Sequence, residues 1–139
     1  WNRGRGRSVS RLLLDTTVLI DLERTGHDLD SILLYEDDAA VSAVTVAELE
    51  VGVHLASVEH REDRRRYVRE VIENVLVLPY DVEVARGQAA LLAHSRRTGR
   101  PRGRHDLIVA ATALVSGRTI LSADATAFLD LPGVLLYDS

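Results

Sequence analysis

The sequence contains no cysteine. That excludes disulfides, thiolate metal sites and cysteine nucleophiles, and by default it points to a reducing, cytoplasmic setting. Lysine is absent too, so all 17 basic residues are Arg. Beside abundant Ala, Val and Leu, this reads as a coding bias and not as an RNA-binding signature. Acidic residues number 21, which leaves a formal net charge of -4. Bulk positive charge is therefore not available for holding nucleic acid. A local basic patch stays possible, as do carboxylates whose charge a metal cancels. No run approaches the ~18 apolar residues of a membrane span. The chain starts Trp1, Asn2, Arg3 with no apolar leader, so no signal peptide is expected. A GxxxxGK phosphate loop is missing, and so is a GxSxG elbow; neither an NTPase nor a hydrolase of that kind is indicated. His27, His54, His60, His94 and His105 show no metal-ligand spacing such as HxxxH.

What is present suits one soluble globular domain: 139 residues, 46% hydrophobic and 27% charged. Residues 1–10 are rich in Arg, Gly and Ser and are expected to be a disordered or appended segment, with a single domain over 11–139. The run RLLL (11–14) reads as a short buried strand. Helical spacing follows over 17–24, stopping near Gly26, and a second short helix is expected over 29–35. A strand is expected over 40–44. A helix over 46–56 comes next, with Thr45 at its N-cap. Residues 59–74 form a charged amphipathic helix whose Val68, Val71 and Ile72 share one face. A strand over 75–78, a long helix over 82–98, a GRPRGR loop over 99–104 and a buried helix over 107–115 complete the middle. A strand over 119–122, a helical turn over 125–129 and a last strand over 134–137 close the chain. Short apolar strands alternating with helices imply an α/β layered fold with a mostly parallel sheet. Such sheets bind ligands beyond the carboxyl ends of their strands. Asp15 and Asp124 both stand where an expected strand has just ended.

Most of the acidic residues need no special account. Glu59, Glu62, Asp63, Glu70 and Glu73 alternate with Arg61, Arg64, Arg65, Arg66 and Arg69 on a solvated helix face. Four others sit in or at the mouth of segments that should be buried. Asp15 follows LLL, Glu48 lies inside VTVAELEVGV, Asp106 opens LIVAATALV, and Asp124 follows TILSA. Burying an ionised carboxylate is costly unless it is paired. No Arg lies within those apolar segments, and Arg104 could serve at most one of the four. If they converge, either repulsion forces protonation or a divalent cation neutralises them. All-oxygen ligands favour Mg²⁺ or Mn²⁺ over zinc.

Each of the four also has an ordinary account. Asp is a favoured N-cap, worth about 1 kcal/mol, and Asp15, Asp106 and Asp124 each precede an expected helix. Thr45 to Glu48 fits a capping box. Thr17 could bond a metal-bound water or a phosphate, but Thr16 and Thr17 also suit a first helical turn. Asp21 fits either solvent or an outer layer of the site. Glu50 points to a different helix face from Glu48. His105 adjoins Asp106 but reads as a surface residue. Arg96, Arg97, Arg100, Arg102 and Arg104 cluster with no nearby acid in sequence until Asp106. Guanidinium forks there would suit a phosphate backbone.

The stretches LLLDTTVLIDL, TVAELEVGV, HDLIVAATALVSGRTILSAD and ATAF together resemble PIN domains, especially the VapC-type toxins of prokaryotic toxin–antitoxin pairs. The resemblance runs from about Leu12 to Tyr137. It implies a three-layer α/β/α sandwich around a short, mostly parallel sheet, and a Mg²⁺- or Mn²⁺-dependent endoribonuclease. The family's first aspartate maps to Asp15 and its neighbouring hydroxyl to Thr17. Its helix glutamate maps to Glu48, with Ser42 opening that motif. The aspartate heading the IAATAL helix maps to Asp106, and the last acidic residue to Asp124, with Ser122 in the usual Thr/Ser place. The resemblance implies that Asp15, Asp106, Asp124 and Glu48 hold the metal, that cleavage leaves 5′-phosphate and 3′-hydroxyl ends, and that a VapB-type antitoxin blocks the groove. A homodimer, and a heterotetramer or larger assembly with antitoxin, are also implied. SADATAF departs from the family in carrying Ala127 before Phe128, so one outer ligand for a second metal is missing. A PIN nuclease of RNA processing and a non-catalytic PIN-like RNA-binding scaffold are the alternatives. A haloacid-dehalogenase-like phosphatase also begins strand-DxD, but Thr17 occupies the place of its second Asp.

Overall fold

The computed structural model describes residues 10–33 and 37–137. The first strand, β1 (Arg11–Leu14), is built from three consecutive leucines, each fully buried. A strand covered on both faces is what such a run should give. It lies inside a four-stranded sheet with β2 (Asp38–Ser42), β3 (Leu76–Leu78) and β4 (Thr119–Leu121), in the order β3-β2-β1-β4. All three pairings are parallel. In register, Leu13 stands opposite Ala40 on one side and Ile120 on the other.

Side chains alternate across a strand, so the leucines divide between two cores. Leu12 and Leu14 pack with Val41 and Leu121 against α1 (Thr16–Thr25), α2 (Ala43–Leu55) and α3 (Val58–Asn74). Leu13 packs with Ala40 and Ile120 against α4 (Val82–Thr98) and α5 (Arg104–Ser116). This is the expected three-layer sandwich. Helices α4 and α5 approach closely because Gly87 faces Ala111; a Cβ at Gly87 would lie 3.3 Å from the Ala111 Cβ. Helix α4 ends at Gly99, whose φ of 66° is the left-handed cap conformation.

Several local expectations are corrected. The residue that caps α2 is Ser42, whose Oγ accepts the Val44 N–H at 3.1 Å. The helix therefore begins at Ala43, β2 runs Asp38–Ser42, and Thr45 lies fully buried in the first turn. The Thr45–Glu48 capping box is not formed, since Glu48 Oε1 takes its bond from Thr16. The expected helix over 29–35 is one 3₁₀ turn, Leu29–Ser31, and residues 34–36 lie outside the described residues. Residues 1–9 of the expected loose segment also lie outside them. Ile72 is 38% exposed while Val68 and Val71 are buried, so the apolar stripe of α3 is narrower than its spacing suggested. Helix α5 starts at Arg104 with Gly103 at the N-cap, which puts Asp106 inside the first turn. The last expected strand is a single parallel bridge, Leu136 to Ile120.

In strand order, β2 and β3 extend to one side of β1 and β4 lies on the other. The chain thus reverses its direction of sheet growth between β1 and β4. A crevice opens at the carboxyl ends of strands at such a switch point.

Candidate active site

Asp15 is the first residue past β1. Its backbone N–H still donates to Leu121 O at 3.0 Å, so the sheet ladder fixes its Cα. Its side chain is only 4% exposed. Although Asp15 occupies the N-cap position of α1, its carboxylate makes no capping bond. Instead Oδ2 accepts from Thr17 Oγ1 at 2.7 Å and from Ser122 Oγ at 2.8 Å. Those two hydroxyls are 3.0 Å apart. The same hydroxyls take the Ala123 N–H (3.1 Å, on Thr17) and the Asp124 N–H (2.9 Å, on Ser122). The ends of β1 and β4 are thus stitched together around one carboxylate oxygen. Among the described residues Oδ1 takes no hydrogen bond from protein.

Glu48 comes from the other direction, on α2. Its Oε1 accepts from Thr16 Oγ1 at 2.8 Å, and its Oε2 lies 3.4 Å from His105 Nδ1. Thr16 is buried and also lies 3.1 Å from the buried Thr45 hydroxyl. His105 was expected on the surface; it is exposed, but the first turn of α5 brings it to Glu48. Asp106, one residue on, folds back beside the N-cap, where a Cβ on Gly103 would lie 3.1 Å from Oδ2. Gly103 makes room for that carboxylate. Asp124 is exposed at the start of the 3₁₀ turn Ala125–Phe128, makes no cap, and accepts from Thr126 Oγ1 at 2.6 Å. The capping account therefore fails for all four acids.

Electrostatics ties Asp106 to the other three. Burial pushes the Asp106 carboxyl above its ordinary value, and the charges of Asp15, Glu48 and Asp124 push it the same way, with His105 opposing. Charges act on one another across about 10 Å, whereas ligation requires oxygens about 2.0–2.6 Å from one point. The two conditions differ here. Among the described residues, no group of three or more His, Cys, Asp or Glu side chains is arranged to hold a metal ion as it stands. The donor set itself is all hard oxygen and suits Mg²⁺, Mn²⁺ or Ca²⁺. Asp15 stands at the N-terminus of α1 and Asp106 in the first turn of α5, where the partial positive charge of a helix end favours anions.

Asp21 pairs with Arg24 one turn along α1, at 2.5 Å. Glu50 is partly exposed on α2. The arginine cluster divides. Arg100 is ion-paired with Asp130, and Arg102 donates to the carbonyls of Thr126 and Leu129. These two are committed to protein, which corrects the expectation of a loop free to hold phosphate. Arg96, Arg97 and Arg104 are exposed. The residues that sequence reasoning undervalued are Thr16, His105 and Arg102. Thr16 and His105 each adjoin a named acid, which was the available signal; Arg102 gave none.

A family model described as the PIN domain matches residues 12–133. This chain belongs to the PIN-domain family. Among curated relatives, ribonuclease VapC5 of Mycobacterium tuberculosis (strain ATCC 25618 / H37Rv) is 35% identical over 112 residues, covering 81% of this chain and 82% of its own. Among solved structures, VapBC-5 from Mycobacterium tuberculosis, a member of the VapBC family of toxin-antitoxin systems, matches with a TM-score of 0.74 at 28% identity, over 94% of this PIN domain chain and 99% of that one. DNA-bound VapBC from Salmonella typhimurium shares the fold at a TM-score of 0.80 and 23% identity, over 94% and 98% of the two chains.

Proposed function

We propose that this PIN-domain protein is a divalent-metal-dependent endoribonuclease, the toxin of a toxin–antitoxin pair, neutralised by a cognate VapB-type antitoxin. One observation carries the reading. Asp15 at the end of β1, Glu48 on α2 and Asp124 in the turn after β4 all bear on the Asp106 carboxyl of α5 at a sheet switch point, and no Arg or Lys is paired with any of the four among the described residues. Left as they are, these charges repel each other and would repel an RNA backbone as well. The ribonuclease name of a relative at 35% identity supplies the substrate class.

Asp15, Asp106 and Asp124, with Glu48, are the residues that would hold Mg²⁺ or Mn²⁺. A bound divalent ion supplies Lewis-acid polarisation of a phosphoryl oxygen and a lowered pKa for attacking water. The protein's own part is positional. Thr17 and Ser122 hold Asp15 Oδ2 and leave Oδ1 without a protein donor among the described residues. Thr16 and His105 hold Glu48 from two sides, so that it orients the nucleophilic water or takes its proton. Arg96, Arg97 and Arg104 remain for phosphate contacts.

The antitoxin reading has a place on the surface. A groove of about 450 Å³ runs from Glu48 between α1, α2 and α3, lined by the apolar Ile20, Leu49 and Val68 and by the charged Glu23, Arg24, Asp63 and Arg64. An apolar segment laid there ends at the acidic crevice, where an inserted cation would quench it. The solved relative that belongs to the VapBC family of toxin-antitoxin systems supports this partner, and a homodimer that assembles further with antitoxin is part of the same proposal. Among the described residues, no helix is long and apolar enough to cross a membrane. Action on RNA in the cytoplasm fits this reading.

The test is cleavage of RNA by the purified protein with Mg²⁺, with Mn²⁺ and with EDTA, alongside Asp15→Asn and Asp106→Asn. Cleavage is expected only with metal and only in the wild type, and the co-purified antitoxin is expected to suppress it. Full activity in EDTA, or in either variant, refutes the assignment.

A further inference from the structure

Asp124 is the one member of the acidic set that no regular element holds. Asp15 hangs from the sheet ladder, while Glu48 and Asp106 ride on helices of 13 residues each. Asp124 begins a short 3₁₀ turn, and its side chain is exposed. At the entrance to that turn the Ala127 N–H donates to Asp124 O at 3.3 Å. Ser122 Oγ takes the Asp124 N–H at 2.9 Å and Phe128 is buried in the core, so the start and middle of the turn are fixed and its carbonyl end remains to be held.

The α4–α5 loop reaches it. Arg102 Nη1 donates to Thr126 O at 2.9 Å, and Nη2 donates to Leu129 O at 2.5 Å. One planar guanidinium thus spans the carbonyl end of the turn, where partial negative charge accumulates and the last carbonyls lack helical partners. Two donors fixed in one plane define both the distance and the tilt of what they grip. Arg100, two residues earlier, pairs with Asp130, whose φ of 63° shows the chain leaving the turn in the left-handed region. That pair is exposed on both sides and adds little energy by itself.

The anchor behind Arg102 is stiff. Helix α4 stops on the left-handed Gly99, Pro101 fixes its own φ, and Gly103 is already the N-cap of α5. Three residues on from Gly103 comes Asp106. The segment that grips the Asp124 turn is therefore the same one that launches the Asp106 helix. Its geometry sets the separation of the two carboxylates.

We propose that Arg102 is a positioning residue: through the carbonyls of Thr126 and Leu129 it holds Asp124 in register with Asp106, and so sets the affinity of the acidic crevice for a divalent cation. This rests on the metal-site reading above. The electrostatic expectation has the opposite sign, which makes the claim testable. Removing a positive charge near carboxylates should by itself strengthen cation binding. Losing the grip should weaken it, on the order of tenfold, the lower end for groups that orient ligands.

The experiment measures Mn²⁺ binding to the full chain by electron paramagnetic resonance, without RNA, for wild type, Arg102→Gln and Arg102→Lys, with Arg97→Gln as a charge-loss control. Amide hydrogen exchange over residues 124–130 is followed in the same proteins. The dissociation constant is expected to rise about tenfold in Arg102→Gln. Arg102→Lys keeps the charge but loses the fork, so a clear rise is expected there also. Both are expected to speed exchange over 124–130, and Arg97→Gln to do neither. Wild-type or tighter Mn²⁺ affinity in Arg102→Gln overturns the proposal, as does unchanged exchange. Failure of the wild type itself to bind Mn²⁺ refutes the metal-site reading, and this proposal falls with it.

Discussion

The Asp15 anchor can be tested on stability alone, without any assay of function. Asp15 Oδ2 is buried and accepts from Thr17 and Ser122 at 2.7 and 2.8 Å. A hydrogen bond to a charged acceptor contributes about 1.5–3 kcal/mol. In Thr17→Val or Ser122→Ala the other hydroxyl stays on the same oxygen, so each single change is expected to cost about 1.5 kcal/mol, the low end. The amides freed with them, of Ala123 and Asp124, are exposed and pass to water. The double variant is different in kind. It leaves a carboxylate that is 4% exposed with neither hydroxyl, and an uncompensated buried charge costs about 3–5 kcal/mol. With both hydroxyls gone the cost is expected in the upper part of that range, about 4–5 kcal/mol, which exceeds the roughly 3 kcal/mol sum of the singles by about 1–2 kcal/mol. Urea unfolding followed by circular dichroism, at neutral pH and in EDTA, reads this directly. With m of about 2 kcal/mol/M, each single variant shifts the midpoint by about 0.75 M, and the double by more than twice that. Additive costs would mean that water reaches Asp15 freely, and the account of a buried, hydroxyl-held anchor would be wrong.

Two further outcomes follow from the same geometry. Burial, then Asp15, Glu48 and Asp124, hold the Asp106 carboxyl above its ordinary value, so the folded state binds its proton more tightly than the unfolded chain does. The resulting stability is present in acid and is lost as pH rises from the ordinary carboxylate value through the raised one. Metal-free Asp106→Asn should lack that loss and melt above the wild type at neutral pH, with the gap closing toward about pH 4 in thermal melts. At the α4–α5 contact, Gly87→Leu must displace Ala111, whose Cβ would lie 3.3 Å from the new Cβ. Overpacking of this kind costs about 1–3 kcal/mol, and a melting temperature unchanged within a degree would show that the helices part easily.

Strand and helix positions were legible because their signals are local. The run LLL before a carboxylate, the long 82–98 helix and the apolar LIVAATALV segment owe their form to periodicity and burial within one stretch of chain. The helix caps were less legible. Ser42 and Thr45 are both good caps on chemistry, and the choice fell to Ser42 because Thr45 is buried against Thr16 from another helix. The Arg loop misled for a similar reason. Its partners, Thr126, Leu129 and Asp130, are some 24 to 30 residues away in sequence.

By itself, the sequence determined that four carboxylates would sit at the edges of buried segments without local counter-charges, because that depends only on neighbours along the chain. Tertiary structure alone decided whether they meet. Parallel pairing puts the carboxyl ends of β1 and β4 side by side and lets Ser122 reach across 107 residues to Asp15. The packing of α2 and α5 on opposite faces of one sheet brings Glu48 and His105 to 3.4 Å. Such distances are set by long-range packing, which no spacing within a single segment encodes.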